Sequence, residues 1–457
     1  MARRLRERYG RGEAGAPEAP VHTRPLFAEA AARGRRIHDR DHRAEYTGPR
    51  RAHDLRASPA RGGYDEEVAA EFDVVVVGCG PAGNTVAYRL AAAGARVLLL
   101  EKEALPRHKV CGGGLSAKTL REAPFSLAPV IEREIGSALI AYAGANPVVC
   151  ALPRTGGMAQ RAALDAFMTV QAVAAGASLR ERETFEGFEP DAVGVRVTTG
   201  SGTVTARVLV GADGVYSRVR ARLFPGAKPR MAPAIEALLW PAPGTLEMMG
   251  GTCVFDLGVI PAGYGWVFPK GDHLNVGLYR FARRPGNRDM RALLDAFIAR
   301  YRILRRHERI QVKALLIPVA PAAPTLARDN VVLVGDAAGL SDALFGEGIY
   351  YAVKSGNTAA EAILRYLGSH RPLAAYDRMM AGMRFELAAA RMAARLFYAS
   401  PRHAFRFGVR NRAVMAVFAG MVAGSVSPAR ALAALPALAP YWLAAPPLRP
   451  VASPLVG

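Results

Sequence analysis

Four β-branched residues in a row, Val74 to Val77, begin the most regular stretch of the chain and read as a strand buried on both faces. A run rich in small residues follows, and Asn84 to Ala93 reads as an Ala-rich helix that stops at Gly94. Arg96 to Leu100 makes a second buried strand, with Glu101 at its end. Residues 178–210 alternate apolar and polar as strands do. Residues 231–280 break into short strand-like runs (Ala237–Trp240, Gly251–Asp256, Trp266–Pro269, Leu274–Tyr279) punctuated by Pro and Gly, the pattern of an antiparallel sheet. Asn330 to Val334 returns to a buried strand. A helix with small or apolar residues at Ile349, Ala352, Val353, Gly356 and Ala360 comes next. Residues 371–400 read as helix. Ala413 to Val426 is an apolar run of about 14 residues, short for a bilayer core of about 30 Å, and Pro428, Pro436, Pro440 and Pro446 prevent a long helix after it.

The turn after the first strand carries chemistry. Gly78-Cys79-Gly80-Pro81-Ala82-Gly83 is a G-x-G-x-x-G between strand and helix. Gly78 permits the tight turn, Gly80 lets a pyrophosphate approach the backbone, and Gly83 lets the helix pack on the strand. The helix N-terminus offers N–H groups to the anion, and Glu101 can accept ribose hydroxyls, which argues against a 2′-phosphate. Ala82 and Lys102 flank these positions and complete the nucleotide set. A plain helix–strand turn of small residues is the alternative, but strand, turn, helix, strand and acid stand here in order.

Composition narrows the class. With 51% apolar residues in 457, the chain can form two or three packed units. Cys79, Cys111, Cys150 and Cys253 form no C-x-x-C pair, so a disulfide framework, a metal site and an iron–sulfur cluster are not expected, and a reducing cytosolic setting fits. The net charge is +21. Residues 1–70 hold 15 Arg against 11 acids, and residues 371–457 hold 11 Arg against 2 acids among Leu, Ala and Met. That second mixture fits a peripheral contact with an anionic membrane surface, at its inner face, as well as it fits a soluble helical cap. No nucleic-acid-binding motif accompanies it. Residues 1–70, polar and without periodicity, read as a disordered extension. Its acids argue against a transit peptide, and an upstream start codon would give the same appearance.

Past Glu101, Pro106-Arg107-His108-Lys109-Val110-Cys111-Gly112-Gly113-Gly114-Leu115-Ser116 contains three consecutive glycines, a backbone able to lie flat against a planar ring. Cys111 is either a reactive thiol, with His108 and Lys109 near it, or an inert Cys beside a turn; the residues alone leave both open. This stretch resembles the P-x-x-K-x-C-G-G-G loop of the geranylgeranyl reductase family, flavoproteins that saturate isoprenoid double bonds. Further segments are similar in order: Arg161-Ala162-Ala163-Leu164-Asp165, Gly211-Ala212-Asp213-Gly214 with Ser217 to Arg220 after it, Tyr264-Gly265-Trp266-Val267-Phe268-Pro269-Lys270, Gly335-Asp336-Ala337-Ala338, and Gly346-Glu347-Gly348.

The resemblance implies an α/β fold in which a Rossmann-type FAD-binding domain carries an inserted antiparallel substrate sheet and a C-terminal helical region. The boundaries expected are 71–230 and 326–370 for the FAD unit, 231–325 for the substrate unit and 371–457 for the helices. It implies that Arg161 reaches the flavin nucleotide, that Asp213 and Asp336 serve the pyrophosphate and ribityl region with Gly335, and that Gly346 and Gly348 open a helix aimed at the flavin. Tyr264, Trp266 and Phe268 alternate, so their rings share one strand face; they would line a prenyl tunnel, or else pack a sheet core. Cys111, or a water near it, would give the proton, with Gly112, Gly113 and Gly114 giving access to the ring. Glu347 is a surface or an active-site carboxylate. The electron donor expected is NADPH or a ferredoxin, since no second dinucleotide fingerprint is visible.

One departure is that Gly114-Leu115-Ser116 differs from the C-G-G-A-I-P of members serving chlorophyll biosynthesis, which places the chain nearer general lipid or isoprenoid reductases. The alternative function is an FAD-dependent monooxygenase of an aromatic or lipid substrate, which shares the nucleotide motifs. A halogenase would carry W-x-W-x-I-P, and a quinone-linked electron-transfer flavoprotein would carry cysteines after Cys253. A non-catalytic prenyl-lipid carrier would keep the flavin without turning it over.

Overall fold

The structure is a computed structural model that describes residues 70–281, 289–369, 371–434, 436 and 447–455. The expected extension, through residue 69, lies outside the described residues.

Val74 to Val77 are buried, as the pattern predicts, within the strand Phe72–Val77, which has parallel neighbours on both edges. The order in the first sheet is Ala327–Arg328, Val331–Leu333, Gly202–Gly211, Phe72–Val77, Val97–Glu101, Ser178–Glu181. Taken in chain order, its parallel strands lie in the doubly wound arrangement, with Phe72–Val77, the first strand among the described residues, in the middle. The order reverses between Phe72–Val77 and Gly202–Gly211, and in such sheets ligands bind outside the carboxyl ends at that reversal. Gly78 and Ala212–Asp213 stand at those two ends. The helices α1 (Pro81–Ala92), α2 (Arg161–Ala174) and α3 (Ile349–Ser369) carry the motif segments around that crevice. Buried Asn84 ties α1 to α2. Its Nδ2 donates to the Cys79 and Asp165 carbonyls, and its Oδ1 accepts from Thr169 Oγ1.

The second sheet has eight strands in the order His307–Ala320, Arg230–Pro241, Leu274–Arg280, Gly263–Pro269, Thr252–Leu257, Arg133–Tyr142, Ala145–Met158, Gly114–Leu115. Its last three strands come from a range that sequence patterning assigns wholly to the nucleotide unit. Pro147, Pro153, Gly156 and Gly157 give the long strand Ala145–Met158 the look of a loop. One pair, Thr252–Leu257 with Arg133–Tyr142, is parallel, where the sequence pattern predicts antiparallel pairing.

The two faces of this sheet do different things. Helix Met290–Arg300 covers one face, packing Leu294, Phe297 and Ile298 on Val254, Val267 and Leu274. The other carries Tyr264, Trp266 and Phe268 toward the C-terminal helices α4 (Ala381–Ala399) and α5 (Arg412–Ala423). Among the described residues no helix is long and apolar enough to cross a membrane.

Candidate functional site

A cavity of about 960 Å³ runs without interruption from the reversal point of the first sheet to the aromatic face of the second. At its nucleotide end Gly78 adopts φ +106°, and a Cβ there would stand 2.5 Å from the Ala212 carbonyl oxygen. A Cβ on Gly83 would fall 2.0 Å from the Gly78 carbonyl oxygen. Gly80 is different: a Cβ would meet only Arg161 Nη2, at 3.9 Å. The first and third glycines are therefore required by the backbone, whereas the second leaves space on the cavity side. With the first N–H groups of α1 lacking intrahelical partners, this is a cradle suited to a pyrophosphate.

An ionic cluster closes that end. Glu101, 3% exposed, accepts from Cys79 N–H and pairs with Arg107 at 3.0 Å. Arg107 also meets Asp165 at 2.9 Å, and Arg161 makes two 2.8 Å bonds to the same carboxylate. Burial opposes the charge on Arg161, but Asp165 and then the Cys111 side chain outweigh it and hold the guanidinium above the ordinary arginine value. Lys102 is exposed on the rim, next to Glu103. Asp213 accepts from Ser217 Oγ and from the Arg218 and Val219 N–H groups, so its carboxylate holds its own loop. Asp336 accepts from Ser341 Oγ at 3.2 Å and lies 3.6 Å from Lys109 Nζ.

The Cys-Gly-Gly-Gly segment lies midway. Cys111 is half-buried, and its sulfur accepts from the Gly113 N–H at 3.4 Å. Its main chain is pinned by two residues that no motif pointed to, Glu236 and Asn275. Cys111 N–H donates to Glu236 Oε2 at 3.0 Å, and Asn275 Nδ2 donates to both that carboxylate oxygen and the Cys111 carbonyl. Lys270 Nζ donates to the carbonyls of Gly112 at 2.6 Å and Ala159 at 3.1 Å. Glu236 and Asn275 had one legible signal: each is a lone polar residue inside an otherwise apolar strand, an arrangement that burial permits only with partners. Burial raises the Glu236 carboxyl above the usual carboxylate value and lowers the Lys270 ammonium to about 8.

That lowering has a measurable consequence. Between pH about 8 and 10.5 the unfolded chain keeps a proton on Lys270 that the folded protein has shed, so stability rises with pH across that window. Relative to a Lys270→Met variant, the wild type should gain up to about 3 kcal/mol from pH 7.5 to pH 10.5 in denaturant unfolding. A constant difference between the two proteins would refute this.

Beyond the glycines, Tyr264, Trp266 and Phe268 stand side by side, with centroids 6.3 and 6.1 Å apart, and Phe255 packs edge-on against Tyr264 and Phe268. Their polar atoms are tied away: Tyr264 Oη donates to the Phe345 carbonyl and Trp266 Nε1 to Asn275 Oδ1. What remains toward the cavity is apolar ring surface, continued by Phe397, Met415 and Phe418 from the C-terminal helices. Gly346 and Gly348 also line the cavity. Glu347 between them is half-buried, accepting from Ser116 Oγ at 2.6 Å and paired with Lys118 Nζ at 2.6 Å. The structure thus brings the predicted residues to one continuous cavity, with Lys102 on its rim, except Gly83 and Gly335, which do not line it: Gly83 packs against the Gly78 carbonyl, and a Cβ on Gly335 would meet Ala82 Cβ at 2.9 Å. Among the described residues no cluster able to hold a metal ion occurs.

Comparison with known proteins gives two family matches. Residues 71–231 match the FAD binding domain, and residues 245–316 match the geranylgeranyl reductase catalytic domain. The chain is 31% identical over 312 residues to a geranylgeranyl diphosphate reductase of Rhodobacter capsulatus, covering 66% of this chain and 77% of that one. It is 32% identical over 320 residues to digeranylgeranylglycerophospholipid reductase 2 of Methanopyrus kandleri, covering 64% and 76%. Among solved structures, a geranylgeranyl bacteriochlorophyll reductase-like protein of Thermoplasma acidophilum has the same fold, with TM-score 0.66 at 24% identity, covering 80% and 96% of the two chains.

Proposed function

The chain belongs to the geranylgeranyl reductase family, and we propose that it saturates C=C bonds of a geranylgeranyl or longer prenyl chain carried on a lipid or a diphosphate. It is an FAD-dependent oxidoreductase acting on C=C bonds. Reduced FAD, when bound, supplies the hydride that one alkene carbon receives. The rest falls to the protein. The G-x-G-x-x-G turn and the N-terminus of α1 would hold the pyrophosphate, and Glu101 the ribose. Arg161 and Arg107 would close that end of the cavity.

The Cys111 thiol would give its proton to the other alkene carbon and recover it from water. Gly112 to Gly114 would let the prenyl chain and the ring approach each other without side chains between them. Tyr264, Trp266 and Phe268 would hold the chain in an apolar, water-poor channel, which limits competing reactions. Electrons would come from NADPH or a ferredoxin.

The observation that carries this reading is continuity: one cavity joins the nucleotide crevice, the Cys111 loop and the aromatic wall. The test is anaerobic. The flavin of purified protein is reduced chemically and mixed with geranylgeranyl diphosphate or a geranylgeranyl lipid. Reoxidation should proceed without oxygen, and each saturated bond should add two hydrogens to the product mass. A flavin that stays reduced until oxygen enters, and then oxygenates a substrate, would establish the monooxygenase alternative instead.

A further inference from the structure

The outer face of α4 carries an unusual pair of rows. Its inner face is ordinary: Met383, Leu387, Ala390, Ala394 and Tyr398 are buried. On the opposite side Phe385, Met392 and Leu396 are 66%, 47% and 58% exposed. Spacings of seven and four put these three on one line along the helix. Arg384, Arg391 and Arg395 repeat the same spacing one residue earlier, so an arginine row runs beside the apolar row. Arg230, from the start of a strand in the second sheet, joins them. Arg391 is pushed below the ordinary arginine value by its burial and then by Arg395, Arg230 and Arg384.

The pattern continues past the helix, where Phe407 is 42% exposed, with the Arg406 guanidinium over its ring. Across residues 381–412 the acid is Glu386, and its carboxylate accepts a hydrogen bond from the Ala429 N–H. Arg384 lies 3.7 Å from Asp377, which leaves the row positive as a whole.

We propose that this face of α4, with the Phe407 turn, docks on the surface of an anionic bilayer. Apolar side chains flanked by arginines are the composition of a helix that lies in a membrane interface, the rings and aliphatic groups entering the acyl boundary and the guanidiniums meeting lipid phosphates. Such an arrangement needs no spanning helix. The position of the face supplies the second argument. Phe397 and Tyr398, which come directly after Leu396, wall the apolar end of the cavity. A bilayer seated on the exposed row would therefore lie across this one helix from the apolar wall that is proposed to hold a prenyl chain. The purpose of the contact rests on the prenyl-lipid reading, whereas the contact itself is measured without turnover.

The experiment is co-sedimentation of the full chain with vesicles of phosphatidylcholine, alone or with about one-third phosphatidylglycerol. Wild type should pellet with the anionic vesicles and weaken as salt rises from about 0.1 to 0.5 M. Phe385→Glu combined with Leu396→Glu should weaken binding by at least about tenfold, since both apolar contacts are lost and two repulsive charges added. Arg391→Gln combined with Arg395→Gln keeps the apolar row and should remove most of the preference for anionic over neutral vesicles. Both variants should reduce a short, soluble prenyl diphosphate at the wild-type rate. Equal vesicle binding by wild type and both variants would overturn the proposal. So would a wild type that binds no vesicle, or a dimer in sedimentation velocity that the Glu variant dissolves without any vesicle binding. Loss of prenyl reduction in every protein, with vesicle binding intact, would sink the enzymatic reading and leave the docking face standing.

Discussion

Cys111→Ala should slow anaerobic reoxidation of the reduced flavin by a prenyl substrate by roughly 10²-fold or more, the usual contribution of a positioned general acid. FAD affinity should change little. The thiol sits on a loop whose main chain is held by Glu236 and Asn275 rather than by its own side chain, so removing the sulfur leaves the loop in place. Its one direct main-chain contact is the 3.4 Å bond from Gly113 N–H, which is long and weak. Arg161 and Cys111 line the same cavity, and the guanidinium would offset the charge left on sulfur once the proton has gone. A structural role for Cys111 would lower FAD affinity and turnover together. A catalytic one separates them, and it also changes the pH profile and the solvent isotope effect of the reoxidation step. If Cys111→Ala turns over at the wild-type rate, a water in the cavity is the donor and the cysteine leaves the mechanism.

The sequence was most informative where one residue type alone can satisfy the backbone or the ligand. Gly78, Gly83 and the buried strand Val74 to Val77 could be read because their backbone roles are local. Tyr264, Trp266 and Phe268 could be read as one face because strand periodicity is two. Residues whose role depends on distant partners were harder to see. Glu236 lies 125 positions from the Cys111 N–H it accepts, and Lys270 lies 158 from the Gly112 carbonyl it serves. No local pattern encodes such pairings, although an acid or an amide stranded in an apolar strand signals that some partner must exist. The strand Ala145–Met158 was hidden for the opposite reason. Its prolines and glycines are ordinarily breakers, and here pairing with Arg133–Tyr142 and with the short Gly114–Leu115 strand overrides them. That pairing matters to the site, because it fixes the glycine segment to the edge of the substrate sheet.

The three glycines of that segment should therefore fail in a definite order when each is replaced by alanine. Gly113 adopts φ +65°, and a Cβ would stand 2.1 Å from the Ala159 carbonyl oxygen and 2.6 Å from Lys270 Nζ. The main-chain bond from Ala159 N–H to the Gly113 carbonyl, at 2.9 Å, prevents the loop from backing away. Gly113→Ala should cost about 3 kcal/mol or more in denaturant unfolding and displace the loop enough to lower turnover by about 10²-fold. Gly112 has no positive φ, and its Cβ would meet the Phe268 ring at 3.0 Å. Phe268 must swing aside there, so Gly112→Ala should leave stability within about 1 kcal/mol of wild type and raise KM for the prenyl substrate. At Gly114 the nearest atom would be Met158 Sδ at 3.8 Å, an ordinary contact, and Gly114→Ala should differ little in either measurement. The order Gly113, Gly112, Gly114 separates a backbone requirement from a substrate-wall requirement on adjacent residues. A Gly113→Ala protein as stable and as active as Gly114→Ala would mean that this loop does not hold the conformation on which the placement of Cys111 depends.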